Sequence, residues 1–158
     1  MIFLTVGTQL PFDRLVRTVD DFCAENSELE VIAQIGDGKY KPKCFEFMDQ
    51  LSIAEFDRLF ERASLVISHA GMGSILTALS NAKPILIMPR RADLNEHRND
   101  HQLGTAKQFS NKKGCFVFND LNELRSQYEV AKKYSGTECI DKFAPQEMID
   151  KLKSIVNC

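Results

Sequence analysis

A chain of 158 residues is long enough for one domain with a substantial core, and 44% hydrophobic with 27% charged residues is ordinary for a soluble globular protein. A net charge of −2 and a pI near 5.9 give no electrostatic basis for a nucleic-acid partner. Cys23, Cys44, Cys115, Cys139 and Cys158 form no Cys-x-x-Cys pair and read as reduced thiols, and the apolar run at residues 1–6 lacks a basic lead and is too short for a signal peptide or membrane span, so the cytoplasm is the expected location.

Apolar runs of strand length alternate with segments of helical period along residues 1–158, which read as a single domain. Residues 2–6 predict a buried strand, after which Phe12, Leu15, Val16, Val19 and Phe22 recur at helix spacing. Residues 31–35 and 44–48 predict two more strands, and Ser52 with Glu55 is a capping-box signature ahead of Ile53, Phe56, Leu59, Phe60 and Ala63. A strand at Leu65, Val66 and Ile67 leads through glycines into a helix carrying Ile75, Leu76, Ala78 and Leu79. Residues 84–88 predict a strand, residues 89–98 an irregular polar stretch, and Leu103, Ala106 and Phe109 a helix; residues 115–118 close the sheet. Leu121, Leu124 and Tyr128 mark a further helix, and Pro145 opens a last one with Met148, Ile149, Leu152, Ile155 and Val156 on one stripe. Such an alternation predicts an α/β fold, a Rossmann-like doubly wound and mostly parallel sheet whose ligand crevice lies beyond the carboxyl ends of the strands.

The most informative stretch is Ser68-His69-Ala70-Gly71-Met72-Gly73-Ser74. A strand, a glycine turn and a helix start leave backbone N–H groups unpaired at the positive end of a helix dipole, open to an anion where the side chains are only hydrogen. The loops after residues 2–6 (Gly7, Thr8, Gln9), after the Leu65 strand and after residues 84–88 all open on one side of such a sheet, where one shared binding site is expected.

These residues, followed by Lys83-Pro84 and by Asn95-Glu96-His97-Arg98-Asn99-Asp100-His101-Gln102, with Val6-Gly7-Thr8 at the start, resemble the nucleotide-sugar half of GT-B glycosyltransferases over nearly the whole chain. Within that group the chain resembles the PssE-like donor-binding subunits of two-subunit exopolysaccharide glycosyltransferases, which carry a glycosyltransferase family 28 C-terminal domain and are related to the soluble subunit of the eukaryotic enzyme that adds the second GlcNAc to dolichol diphosphate. The resemblance implies that Gly71, Met72, Gly73 and Ser74 cup the diphosphate of a UDP-sugar, with His69 near the phosphates and Gly7 and Thr8 on the opposite wall. It further implies that Asp100 and Gln102, with His101 between them, bind hydroxyls of the donor sugar, and it places Thr77 where several relatives carry an acid that grips ribose. Arg90, Arg91 and Arg98 cluster beside this place, where a guanidinium could pair with a phosphate or a uronate carboxylate.

The same resemblance implies an inverting transferase moving a hexose, uronic acid or N-acetylhexosamine to a polyprenyl-diphosphate-linked sugar in exopolysaccharide or capsule biosynthesis. A chain of this size furnishes only the donor half, and the resemblance implies that the other half is a membrane-anchored acceptor-binding subunit, which is expected to supply the general base and to hold the complex peripherally at the membrane. The sequence has no Asp-x-Asp pair, and metal-independent transfer without a cofactor is expected. Three other readings stay open: a non-catalytic nucleotide-binding module; a metal-assisted hydrolase using His97 and His101, four apart, with Asp93 or Asp100; and a docking role for the Met148 to Ile155 stripe, whose spacing equally fits ordinary core.

Overall fold

The computed structural model describes residues 1–136. Strands β1 (Ile2–Thr5), β2 (Val31–Gln34), β3 (Glu46–Met48), β4 (Leu65–His69), β5 (Ile85–Met88) and β6 (Cys115–Val117) alternate with helices α1 (Asp13–Glu25), α2 (Ile53–Arg62), α3 (Met72–Ser80), α4 (His101–Phe109) and α5 (Leu121–Ala131). The stripe of the last expected helix, from Met148 to Val156, lies outside the described residues.

Every strand pairing is parallel, and the strand order is β3-β2-β1-β4-β5-β6. The chain therefore winds outward from β1 to β3, crosses back to β4 beside β1, and winds outward again. Between β1 and β4 the two winding directions diverge, and the loops leaving their carboxyl ends part to open a crevice.

Each strand sends alternate residues to opposite faces of the sheet. Leu4, Ala33, Ile67 and Leu86 pack against Leu15, Val16, Val19 and Phe22 of α1 and Leu124 of α5. On the other face, Phe3, Val66, Ile85 and Ile87 pack against Leu59 and Phe60 of α2, Ile75, Ala78 and Leu79 of α3, and Ala106 and Phe109 of α4. The expected doubly wound, mostly parallel α/β sheet is the fold observed.

The elements stop slightly short of the apolar runs, for identifiable reasons. At Gly7, with φ of +79°, the chain leaves the sheet before Val6 can extend β1. β3 starts at Glu46 rather than at Cys44 because the Asp20 carboxylate accepts the backbone N–H of Lys43 at 3.0 Å and of Cys44 at 2.8 Å, drawing that segment onto α1. Burial opposes the charge of Asp20, but these donors and the Tyr40 hydroxyl at 2.6 Å outweigh it and hold the carboxyl below its usual range. β5 starts after Pro84, which has no N–H for the ladder. The Ser52 and Glu55 capping box forms as expected, with the Ser52 side chain accepting Glu55 N–H and the Glu55 carboxylate accepting Ser52 N–H. Within the irregular stretch, Ala92–Leu94 make a single 3-10 turn that folds the segment back toward the sheet.

Candidate active site

At the divergence of β1 and β4 lies a crevice of about 600 Å³. Its lining comes from the loop after β1 (Gly7, Thr8, Gln9, Leu10), the end of β4 and start of α3 (His69, Gly71, Gly73, Ser74), and the segment after β5 (Arg90, His97, Arg98, His101, Gln102). All three glycine-bearing or polar loops singled out in the sequence meet here.

The β4–α3 turn is built around His69. A Cβ at Gly7 would stand 2.7 Å from His69 Nε2, and one at Gly71 would stand 2.1 Å from its Cε1, so the imidazole fills a slot that only glycine leaves open on either side. The Gly71 N–H donates to the His69 carbonyl at 2.8 Å. Gly71 is therefore not an outward donor, contrary to the expectation that it would offer its N–H to a phosphate; it closes the turn. The next three amides, of Met72, Gly73 and Ser74, form the first turn of α3, whose N-cap Gly71 supplies no side-chain acceptor, and the first intrahelical bond to that cap comes from Ile75 at 3.2 Å. A Cβ at Gly73 would meet nothing within 4 Å, so the approach to these amides is open. Met72 is exposed and, like the exposed Thr77 one turn further on, lies off the crevice lining; Ser74 lies on it.

Burial in the crevice floor, with the Arg90 guanidinium beside it, lowers the His69 imidazole from its ordinary 6.5 to about 4, so the ring is neutral near pH 7.

Two of the residues assigned to the sugar hydroxyls are engaged within the protein. Gln102 is buried; its Oε1 accepts the Arg90 N–H at 3.1 Å and its Nε2 lies 3.2 Å from His69 Nδ1. Asp100 accepts the Ala92 N–H at 2.8 Å and lies off the crevice lining, where it holds the 3-10 turn. His101 does line the crevice; its ring stands edge-on to that of His97 at 4.6 Å, and its Nδ1 is 2.5 Å from Asn99 Oδ1. Among the described residues no group of three His, Cys, Asp or Glu side chains converges on a metal position, so His97 and His101 lack the further ligand that the hydrolase reading needs.

Arg90 is the largest departure from the sequence expectation. It is 2% exposed, and its guanidinium donates to the carbonyls of Val6 at 2.9 Å, Leu10 at 2.6 Å, Pro11 at 2.6 Å and Glu96 at 3.4 Å while lying over the Phe12 ring. Both terminal nitrogens, with which a guanidinium would grip a uronate or phosphate, are thus engaged with backbone carbonyls. Burial lowers its pKa to about 10, partly opposed by Glu96, so it stays cationic at neutral pH. Arg91 pairs instead with Asp93 at 2.6 Å on the surface, while Arg98 lines the crevice together with Arg90. Arg14 and Glu96 complete the clamp: Arg14 meets both Glu96 carboxylate oxygens, at 2.6 and 2.8 Å, and the Pro89 carbonyl at 2.8 Å.

Several lining residues were not singled out from the sequence. Gly7 N–H donates to Thr5 Oγ1 at 3.1 Å, and that hydroxyl donates to Gln34 Oε1 at 3.0 Å, which turns the Gln34 amide nitrogen away from Thr5. Leu51, Ile53 and Phe56 form an apolar end of the crevice, with Ile53 83% exposed. A polar residue ending a buried parallel strand, as Thr5 and Gln34 do, is the signal that could have found the first pair, since Thr5 pairs with Gln34 in the sheet register.

Two measurements check this geometry. Replacing Arg90 by Ala strands buried carbonyls and is expected to lower unfolding free energy by on the order of 3 kcal/mol in a denaturant titration; a loss below about 1 kcal/mol would refute the clamp. The unfolded chain protonates His69 near 6.5 whereas the folded chain resists protonation down to about 4, so its contribution to stability is constant above that window and falls on acidification through it. Denaturant unfolding at stepped pH should show that decline and its reduction in His69→Gln; identical slopes for the two proteins would contradict it.

The family model of the glycosyltransferase family 28 C-terminal domain matches residues 1–144. The chain is 38% identical over 117 residues to the UDP-N-acetylglucosamine transferase subunit ALG13 of Mus musculus, a match that covers 67% of this chain and 10% of that protein. It is also 38% identical over 90 residues to the UDP-N-acetylglucosamine--N-acetylmuramyl-(pentapeptide) pyrophosphoryl-undecaprenol N-acetylglucosamine transferase of Trichodesmium erythraeum, covering 54% of this chain and 22% of that one. The chain thus spans only about a tenth to a fifth of the length of these curated relatives. The NMR solution structure of ALG13 superposes with a TM-score of 0.57 at 20% identity, over 96% of this chain and 93% of that one, which shows a common fold. On the match of its sequence from the first residue to residue 144, with the doubly wound sheet and the glycine-bearing crevice to accompany it, the chain belongs to the glycosyltransferase family 28 C-terminal domain, the donor half of the GT-B fold.

Proposed function

We propose that this chain is the UDP-sugar-binding subunit of a split, inverting glycosyltransferase. It presents the donor to a polyprenyl-diphosphate-linked acceptor held by a membrane-anchored partner, in the assembly of exopolysaccharide or capsule. The observation that carries the reading is the start of α3: a helix N-terminus with no side-chain cap, whose Gly73 and Ser74 lie beside His69 on a 600 Å³ crevice.

As the glycosidic bond lengthens, the leaving nucleoside diphosphate gains negative charge. Fixed amide dipoles already aimed at it stabilise that charge without reorganising, and the Ser74 hydroxyl adds a donor. Arg98 extends the positive wall, and the apolar end formed by Leu51, Ile53 and Phe56 offers a face for a flat base. N-acetylglucosamine is the sugar we favour, because the names of the mouse and Trichodesmium relatives both specify it as the UDP-linked group, and because Arg90, the cation expected to meet a uronate, is consumed in the fold.

The Trichodesmium relative's name specifies a pyrophosphoryl-undecaprenol acceptor, and among the described residues no helix is long and apolar enough to cross a membrane. In this reading the partner holds the lipid-linked acceptor and supplies the base that deprotonates its hydroxyl. Helix dipoles take the place of a metal at the diphosphate, so transfer is metal-independent.

The test combines binding and turnover. Titration calorimetry of the chain with UDP-N-acetylglucosamine should register binding, and transfer of labelled sugar to membrane lipid should require co-expression of the partner and persist in EDTA. Gly73→Asp separates site from scaffold: a carboxylate in the first turn of α3 should raise stability by about 0.5 kcal/mol. The same carboxylate repels the diphosphate and should weaken UDP binding by about tenfold or more. Binding without transfer in the presence of the partner would instead make the chain a nucleotide-binding module, and absence of binding would overturn the proposal.

A further inference from the structure

The bonds around Gln102 determine where its two amide atoms point and, through them, the protonation pattern of His69. The backbone N–H of Arg90 can only donate, so the Gln102 atom 3.1 Å from it is the amide oxygen. The amide nitrogen therefore faces His69 Nδ1, at 3.2 Å. An NH2 group also only donates, so Nδ1 must receive it with its lone pair, and a neutral ring then carries its proton on Nε2.

The surroundings reinforce this state. Arg90, His97 and His101 are the titratable groups that act on the ring, and each opposes a positive charge there. The close walls at Gly7 and Gly71, where a Cβ would stand 2.7 and 2.1 Å from ring atoms, hold the imidazole in its plane. Its Nε2 edge lies beside Gly7, on the floor of the crevice that His69 lines. No hydrogen bond from a described residue reaches Nε2.

We infer that Gln102 is a positioning residue of the donor site: by donating to Nδ1 it fixes His69 in the Nε2–H tautomer and leaves a neutral, oriented hydrogen-bond donor for the diphosphate. The inference rests on the donor-site reading above for its ligand, but not for the tautomer. It gives Gln102 a task different from touching the sugar. It also connects the clamp to the site, because the Arg90 backbone that orients the Gln102 amide belongs to the residue whose side chain holds the Gly7 loop.

Two experiments on the full chain decide it. In a two-bond nitrogen–proton spectrum of ¹⁵N-labelled protein at neutral pH, with the His69 signals assigned by their loss in His69→Gln, the ring should show the Nε2–H pattern. Gln102→Glu places an acceptor against Nδ1 and should move the proton there, giving the Nδ1–H tautomer or the imidazolium. An Nδ1–H pattern in the wild-type protein, or an unchanged ring in Gln102→Glu, overturns the inference; should that variant fail to fold, the wild-type spectrum still decides.

In calorimetry, Gln102→Ala should weaken UDP and UDP-N-acetylglucosamine alike, each by about tenfold for one impaired hydrogen bond to a charged group. A loss confined to the UDP-sugar assigns Gln102 to the sugar hydroxyls and overturns the inference. Failure of the wild-type protein to bind UDP at all would sink the donor-site reading, while the spectrum would continue to determine the tautomer.

Discussion

The reversal of strand order between β1 and β4 is the constraint from which the site follows. Parallel strands that wind away from one another cannot share a connection across their carboxyl ends, so the loops that leave β1 and β4 part above the sheet, with the His69 ring packed against Gly7 on the crevice floor. The polar ends of β1, β2 and β4, Thr5, Gln34, Ser68 and His69, are brought to that edge by the sheet register. Their backbone positions are set by the sheet rather than by the loops above it.

Those loops need separate fastening, and a buried cation provides it. A guanidinium removed from water is costly unless its donors are met, and Arg90 meets carbonyls on both sides of the crevice. The segment after β5 is thereby tied to the loop after β1, and Arg14 with Glu96 ties it again from α1. The crevice walls are fixed to each other by charge-assisted bonds to backbone, which leaves their side chains free to face a ligand.

How much of this could be read beforehand depends on the range of the interaction. Strands and helices follow from local periodicity, so β1, the capped α2 and the β4–α3 glycine junction were legible, with errors of a residue or two where Gly7 or Asp20 redirected the chain. The convergence of the three loops was legible from topology. Partners distant in the sequence were not: nothing local to Arg90 says that Val6 and Leu10 await it, and nothing local to Gln102 says that His69 lies against it. A ligand-facing arginine and a sugar-binding glutamine were the natural expectations, and only the path of the loop after Pro89 shows them engaged within the protein. The role of Gly71 was half legible: its lack of a side chain does matter, but what it makes room for is an imidazole.

The bare first turn of α3 has a consequence for the protein as a whole. A helix that begins at Gly71 with neither a capping side chain nor an acidic residue forgoes stabilisation that Ser or Asp would bring there. An occupant that satisfies those amides restores it, and whatever binds only the folded form shifts the folding equilibrium in its favour. Occupancy and durability are coupled in such a design: under the donor-site reading proposed above, a filled first turn resists thermal and proteolytic damage better than an empty one.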